Sequence, residues 1–308
     1  MLNIKGEMII KGILRLSIPA VVILKKAIYG YGNQTAPINK INYISNIGVI
    51  ENTTTTVGQA RRDLAAASYG GDKAIFGYGG RLGTNYSLTN LVSNTGVVSA
   101  NITGVGTARS GLAAASYGFD KAIFGFGVSS SVTNLVSNIG VVSTDTAGVG
   151  TARFNLAAAS FGNDKAIFGF GTTYSGGYSY YSLTNLVSNV GVVATDTTGV
   201  GTSRRELAAV GYGGDKAIFG FGINASGVLS MTNLVSNAGI VSTDTTGVGT
   251  ARSGLAAASY GADLAVFIVG GSFFNSTNLV SNTGVVSTDS VAVANSYRTY
   301  HAAAAYGS

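Results

Sequence analysis

Six arginines stand at matched positions in this 308-residue sequence: Arg61, Arg109, Arg153, Arg204, Arg252 and Arg298. Each lies three residues ahead of a short run of the type LAAASYG. Guanidiniums repeated in this way can do two things. Gathered at an open face, they would form a basic site for an anionic glycan or an acidic protein. Turned inward, they would donate to main-chain carbonyls and brace one unit against the next. Repetition in all six units favours bracing, because a ligand rarely needs six identical contacts. Asp145, Asp196, Asp244 and Asp289 lie just upstream of the later arginines and can neutralise them, while Arg62 and Arg205 double two corners. The anion-binding reading assigns the six arginines as ligand residues. Tyr174, Tyr178, Tyr180 and Tyr181 form a second candidate contact patch, since tyrosine anchors recognition surfaces.

Other chemistry is sparse. There is no cysteine and a single histidine, His301, so thiolate metal sites, thiol nucleophiles and disulfides are excluded. The thirteen acids are scattered. Asp72, Asp120, Asp164 and Asp215 read as turn formers beside Lys73, Lys121, Lys165 and Lys216, without the clustering that a metal site needs. His301 occupies an apolar slot and reads as a packed residue. No paired carboxylates and no glycine-rich phosphate loop opening a helix are visible. The expectation is a protein that is not an enzyme and that holds no cofactor and no metal.

Only 10% of residues are charged while 46% are hydrophobic, which supplies a large core despite 45 glycines. The net charge of +6 is spread along the chain without the dense Lys/Arg run of a nucleic-acid tail, so no specific nucleic acid is expected. At the N-terminus the longest uncharged run, Leu16 to Leu24, is nine residues, well short of the ~20 that span a bilayer. No small-residue cleavage site follows it. Residues 1–23 read as an arm, an anchor or an extra strand, with no membrane span.

The elements that must position the arginines come from an internal repeat. Taking the alanine of the AIFG element as marker gives Ala27, Ala74, Ala122, Ala166, Ala217 and Ala265, spaced 47, 48, 44, 51 and 48 residues apart. That is the length of a four-stranded propeller blade. Each unit divides into LAAASYG, KAIFGFG, TNLVSN and VVSTD, short runs bounded by turn residues and without helical period. Gly-Asp or Asn-Asp joins the first pair and Asn-x-Gly the last. From Tyr43, Leu91, Leu135, Leu186 or Leu234 to the next marker is always 31 residues, whereas the preceding interval ranges from 13 to 20. Length variation therefore falls between strands two and three, the pattern of a rigid scaffold with one variable loop per unit. The C-terminal RTYHAAAAYGS supplies a first strand with nothing after it, and the N-terminal KAIYGYG a second strand with no standard first strand before it. Together they predict a fold that is all-β: a six-bladed β-propeller over 24–308, closed by pairing of the N- and C-terminal strands, with no open blade edge at the join. Residues 13–24 are the alternative source of that strand.

The unit TARSGLAAASYGGDKAIFGYGG resembles the kelch repeat. Arg109-Ser110 and Arg252-Ser253 match its lead-in, Gly79-Gly80 and Gly270-Gly271 its double glycine, and His301 a common histidine position. The family's fourth-strand tryptophan is absent throughout. The resemblance implies four-stranded kelch-like blades, with ligands held at the face that carries the lead-in Arg and Ser side chains. The copper-oxidase activity of some relatives needs a Cys–Tyr crosslink and two histidines, which this chain lacks. The near-copied, Ser/Thr/Gly-rich units also resemble propeller repeats in bacteriophage structural proteins. The expectation that follows is a virion decoration, head-fibre or tail component. Its partners would be other virion or surface proteins bound through the arm, and an anionic glycan or acidic protein at the arginine-lined face. The alternative is a secreted or cell-surface, lectin-like propeller for anionic glycans.

Overall fold

The computed structural model describes residues 7–10, 14–17, 25–51, 54–55, 57–128, 130–271, 274–291 and 298–307. Among them there is no helix; the chain is all-β, built from many small antiparallel sheets. Numbering the repeats by their AIFG elements, repeat 3 shows the pattern. Its first strand, Ala113–Tyr117, pairs with the second, Lys121–Gly125, which pairs with the third, Thr133–Val136. Repeat 2 (Ala65–Tyr69, Lys73–Gly77, Thr89–Val92), repeat 4 (Ala157–Phe161, Lys165–Gly169, Thr184–Val187) and repeat 5 (Ala208–Tyr212, Lys216–Asn224, Gly227–Val235) repeat this order. So does repeat 6 (Ala256–Tyr260, Leu264–Gly270, Phe274–Val280).

Repeat 1 is composite. The C-terminal strand Ala302–Tyr306 pairs with Lys26–Gly30, Ala305 opposite Ala27, and that strand pairs with Lys40–Ile44. The two ends of the chain thus complete one sheet, whose first strand is Ala302–Tyr306 and not Leu14–Ser17; the other residues of 13–24 lie outside the described ones. Of the N-terminal arm only Glu7–Ile10 and Leu14–Ser17 are described, paired as a separate hairpin. The rest of the arm assignment lies outside the described residues.

The fourth strand departs from expectation. A short outer strand flanks the third only in repeats 1 (Thr54–Thr55) and 6 (Ser290–Val291). In repeat 3 the VVSTD segment instead touches the third strand at two isolated bridges, Val136 with Val142 and Thr133 with Thr146. Between them Ser143 turns its hydroxyl inward, so the Leu135 amide donates to Ser143 Oγ at 2.9 Å rather than to a ladder carbonyl.

Side-chain size explains the packing. First strands alternate: Ala113, Ala115 and Tyr117 are buried while Ala114 and Ser116 are half-buried and line an axial channel of about 230 Å³. Second strands are buried on both faces, and the apolar cores lie between successive sheets. Ile75 and Tyr78 of repeat 2, for example, meet Ala122, Phe124 and Val136 of repeat 3. Gly77 ends its strand because the neighbouring ring lies on its backbone: a Cβ there would sit 2.6 Å from Phe124 Cζ.

The sheets pack on one another in chain order. Each first strand lies against the next, and Ala302–Tyr306 lies against both Ala256–Tyr260 and Ala65–Tyr69. Main-chain bonds tie both ends of these strands. At the lead-in end the amide of Asp63 donates to Tyr300 O, Gly111 to Asp63 O, Asn155 to Gly111 O, Glu206 to Asn155 O, Gly254 to Glu206 O, and Tyr300 to Gly254 O, all at 2.7–2.9 Å. These six bonds return to their starting residue. At the opposite end the turn amides do the same from repeat to repeat: Gly70 to Asp120 O, and so on to Gly261 with Lys25 O and Gly307 with Asp72 O, at 2.7–2.8 Å.

Candidate functional site

The six arginines are buried, 0–1% exposed. Arg109 shows why. Its Nε donates to Phe126 O at 2.7 Å, Nη1 to Thr107 O at 3.1 Å and Nη2 to Asn134 Oδ1 at 2.7 Å. Asn134, itself fully buried, passes its amide on to Ser143 O (3.0 Å) and to Asp145 Oδ1 (2.9 Å). Thr107 also grips Asp145, by main-chain N–H and hydroxyl. Burial pushes the Asp145 carboxyl up, but the bonds from Thr107 and Asn134 outweigh it and hold the group below its ordinary value. The matching sets around Arg153, Arg204 and Arg252 end on Asp196, Asp244 and Asp289.

Each guanidinium also covers an aromatic ring of the preceding repeat. Arg61 lies 4.4 Å from the Tyr31 centroid, Arg109 4.4 Å from Tyr78, Arg153 4.5 Å from Phe126, Arg204 4.3 Å from Phe170 and Arg252 4.2 Å from Phe221. The far side of each ring meets a phenylalanine of the next second strand, as Phe126 does Phe168 at 5.2 Å. Burial lowers the arginine pKa values, those of Arg153, Arg204, Arg252 and Arg298 to about 10, which leaves them charged at neutral pH. Their donors are spent inside the protein. The junction at repeat 1 is the exception: Val269 replaces the ring, and Arg298 reaches Tyr29 (4.9 Å), Lys40 O (2.8 Å) and Asn42 Oδ1. His301 takes the slot that leucine fills elsewhere, buried beside Tyr29, and burial holds its imidazole neutral.

Above the arginines the repeats stop being copies. The residues whose amides form the closed main-chain circuit are Asp63, Gly111, Asn155, Glu206, Gly254 and Tyr300, all with positive φ between 52° and 66°. Together with the residues that follow them, five leucines and His301, they line a depression of about 70 Å³. Left-handed backbone suits glycine, yet four of the six carry side chains. Glu206 pairs with Arg205 and accepts from Ser253 Oγ at 2.9 Å and Tyr300 Oη at 3.3 Å. Asp63 lies 3.4 Å from Arg62 Nε. Burial pushes the Asp63 carboxyl up to about 6; Arg62 opposes the shift and Glu206 adds to it. Burial, with the nearby Glu206 and Asp63, drives the Tyr300 phenol up to about 12.

The variable loops lie at this end. In repeat 4 the loop is a hairpin, Thr172–Tyr174 with Tyr178–Tyr180, and Thr172 bridges Phe154 of the lead-in. Tyr174 and Tyr178 are 63% and 46% exposed and meet edge to face at 5.0 Å. Tyr180 lies 6.2 Å from Tyr178, and Tyr181 is bound through its hydroxyl to Thr173 at 3.2 Å. Arg205 stacks on Tyr178 at 4.1 Å, so the hairpin of repeat 4 is joined to the Arg205–Glu206 pair of repeat 5.

Of the residues singled out by sequence, the arginines are gathered but enclosed, and the tyrosines are together with two exposed. Asp63, Asn155, Glu206 and Tyr300 escaped the sequence reading. They are 143 residues apart in the case of Asp63 and Glu206, yet line one depression. A signal existed: two residues after each lead-in arginine, near-identical units read Asp, Gly, Asn, Glu, Gly and Tyr. Compared with protein-family models and with curated proteins, the sequence matches none of them.

Proposed function

We propose that the six sheets are the blades of a kelch-like β-propeller and that the protein is a non-catalytic structural and interaction component of a virion. The observation that carries this reading is the unlike character of its two ends. At the end where Lys25 and Gly307 lie, every repeat exposes a branched aliphatic residue directly after the glycine of its Asn-x-Gly turn, and repeats 1, 3 and 4 expose a second within it, Ile47, Ile139 and Val190. Val49, Val97, Val141, Val192, Ile240 and Val285 are each between 55% and 70% exposed. A sixfold collar of exposed valine and isoleucine at the end where Lys25 and Gly307 lie suits docking onto a larger body. The opposite end carries the variable loops and the polar depression and would face outward. The closed circuit of main-chain bonds supports the propeller assignment, and the resemblance to phage propeller repeats supports the virion.

Negative-stain imaging of virions and cell envelopes labelled with antibody to the chain tests the assignment. Labelled particles are the expected result; labelled envelopes, or neither, would overturn the virion assignment.

A further inference from the structure

The loop end holds one place where two unrepeated features meet. The tyrosine hairpin exists only in repeat 4 among the described loops, and the Arg-Glu lead-in only in repeat 5. They are joined by the Arg205–Tyr178 stack, and the path continues through Glu206 to Ser253 of repeat 5's neighbour and to Tyr300 across the axis. Exposed rings at one side thus lead to carboxylate, guanidinium, phenol and amide groups around a depression of about 70 Å³.

The chemistry of these groups narrows the ligand. An anion would need an unmatched cation, but Arg205 is paired with Glu206, Arg62 with Asp63, and the six interior arginines are sealed away. A cation would find both carboxylates already matched by those guanidiniums. Hydroxyl groups suit the site, because each can donate to a carboxylate and accept from a guanidinium or phenol at once. Apolar C–H faces suit Tyr174 and Tyr178, whose rings offer broad contact with few torsions to freeze.

We propose that the surface running from Tyr174 and Tyr178 to the Asp63–Glu206–Tyr300 depression binds a neutral saccharide, its ring faces on the tyrosines and its hydroxyls on the polar groups. This rests on the reading that the loop end faces outward.

The test is binding of the purified full chain to an array of neutral hexose and N-acetylhexosamine oligosaccharides, with sulfated and sialylated ones alongside. Retention on neutral sugars is expected. The Tyr174→Ala/Tyr178→Ala double variant should weaken it by roughly tenfold or more, with an unchanged melting temperature. Tyr174→Phe should keep it, since the ring remains, and Phe119→Ala, at the exposed opposite end, should leave it intact. Binding to no neutral saccharide, binding only to anionic ones, or binding indifferent to the tyrosines would overturn the proposal. So would capture of a protein through the same tyrosines without sugar binding. The two readings fail separately. Particles labelled but no sugar bound would remove only the saccharide site. Sugar bound but no particles labelled would remove only the virion assignment. Hydrolysis of a bound oligosaccharide would remove the non-catalytic reading and leave the saccharide site standing.

Discussion

The two ends of the molecule are made from the same repeat and are unlike in kind. At the end where Lys25 and Gly307 lie the copies agree. The Asn-x-Gly turn recurs, its glycine resting on the ring that ends a neighbouring first strand, as Gly140 does on Tyr69 and Gly191 on Tyr117. At the lead-in end the buried layer agrees too, with an arginine and an asparagine in each repeat and an aromatic in all but repeat 6, where Val269 stands. Only the layer above it differs, where Asp63, Asn155, Glu206 and Tyr300 replace the glycine of Gly111 and Gly254. Agreement among copies marks what every junction needs; disagreement marks what only one place needs. By that measure the arginines are scaffold, and the axial polar group with the tyrosine hairpin is site.

The largest expected effect breaks the comparison if it fails. Arg153→Ala would strand the Phe170 and Thr151 carbonyls and Asn185 Oδ1 and uncover the Phe126 ring. Removing one member of a buried charged network costs about 3–5 kcal/mol. Calorimetry should show a large fall in melting temperature; an unchanged one would mean that the arginine is not a brace. Next in size is Gly140→Ala at the uniform end. It adds a Cβ 3.0 Å from Leu91 Cδ2 at a φ of 85°. A loss of about 1–2 kcal/mol is expected, and equal stability would show that the turn yields easily.

Asp63→Asn sharpens the contrast from the other side. A carboxyl held at about 6 in the fold, against an ordinary value near 4, keeps its proton longer when folded. Between those values stability falls as pH rises, and above 6 the full penalty of burying an ionised Asp63, to which Glu206 adds, is present. The asparagine variant removes that penalty and tolerates left-handed backbone well. It should exceed the native protein by about 1 kcal/mol at pH 7, the gap narrowing as pH falls from 6 to 4. A gap independent of pH in denaturant titrations would show that Asp63 ionisation is not involved. The smallest effect belongs to the collar. Val141→Ser with Val192→Ser should leave stability within about 0.5 kcal/mol yet impair incorporation into particles. Unimpaired incorporation would remove the collar from the docking surface.

Much of this was legible in the sequence because it is local and repeated. The marker spacing fixed the first three strands of every unit, and the two incomplete ends predicted the pairing of Ala302–Tyr306 with Lys26–Gly30. The outer strand was misread, since VVSTD has strand composition but meets the third strand only at isolated bridges in repeats 2 to 5. The arginine positions were visible; their burial followed from groups at other positions, the asparagine of TNLV and the ring between glycines, whose partnership has no short-range signature. Asp63 and Glu206 were invisible as a pair because they lie 143 residues apart and meet only through the packing of several repeats.

Closure of the repeats is the central claim, and the absence of native cysteine offers a direct measurement of it. Ala27 and Ala305 are partners across the strands contributed by the two chain ends. Partners in an antiparallel ladder lie within disulfide reach, about 4.5–5.5 Å between Cα atoms. In the folded double variant Ala27→Cys/Ala305→Cys, mild oxidation should form the intramolecular crosslink rapidly and raise the melting temperature. A folded variant whose thiols stay free, or that crosslinks only once denatured, would contradict the closed ring.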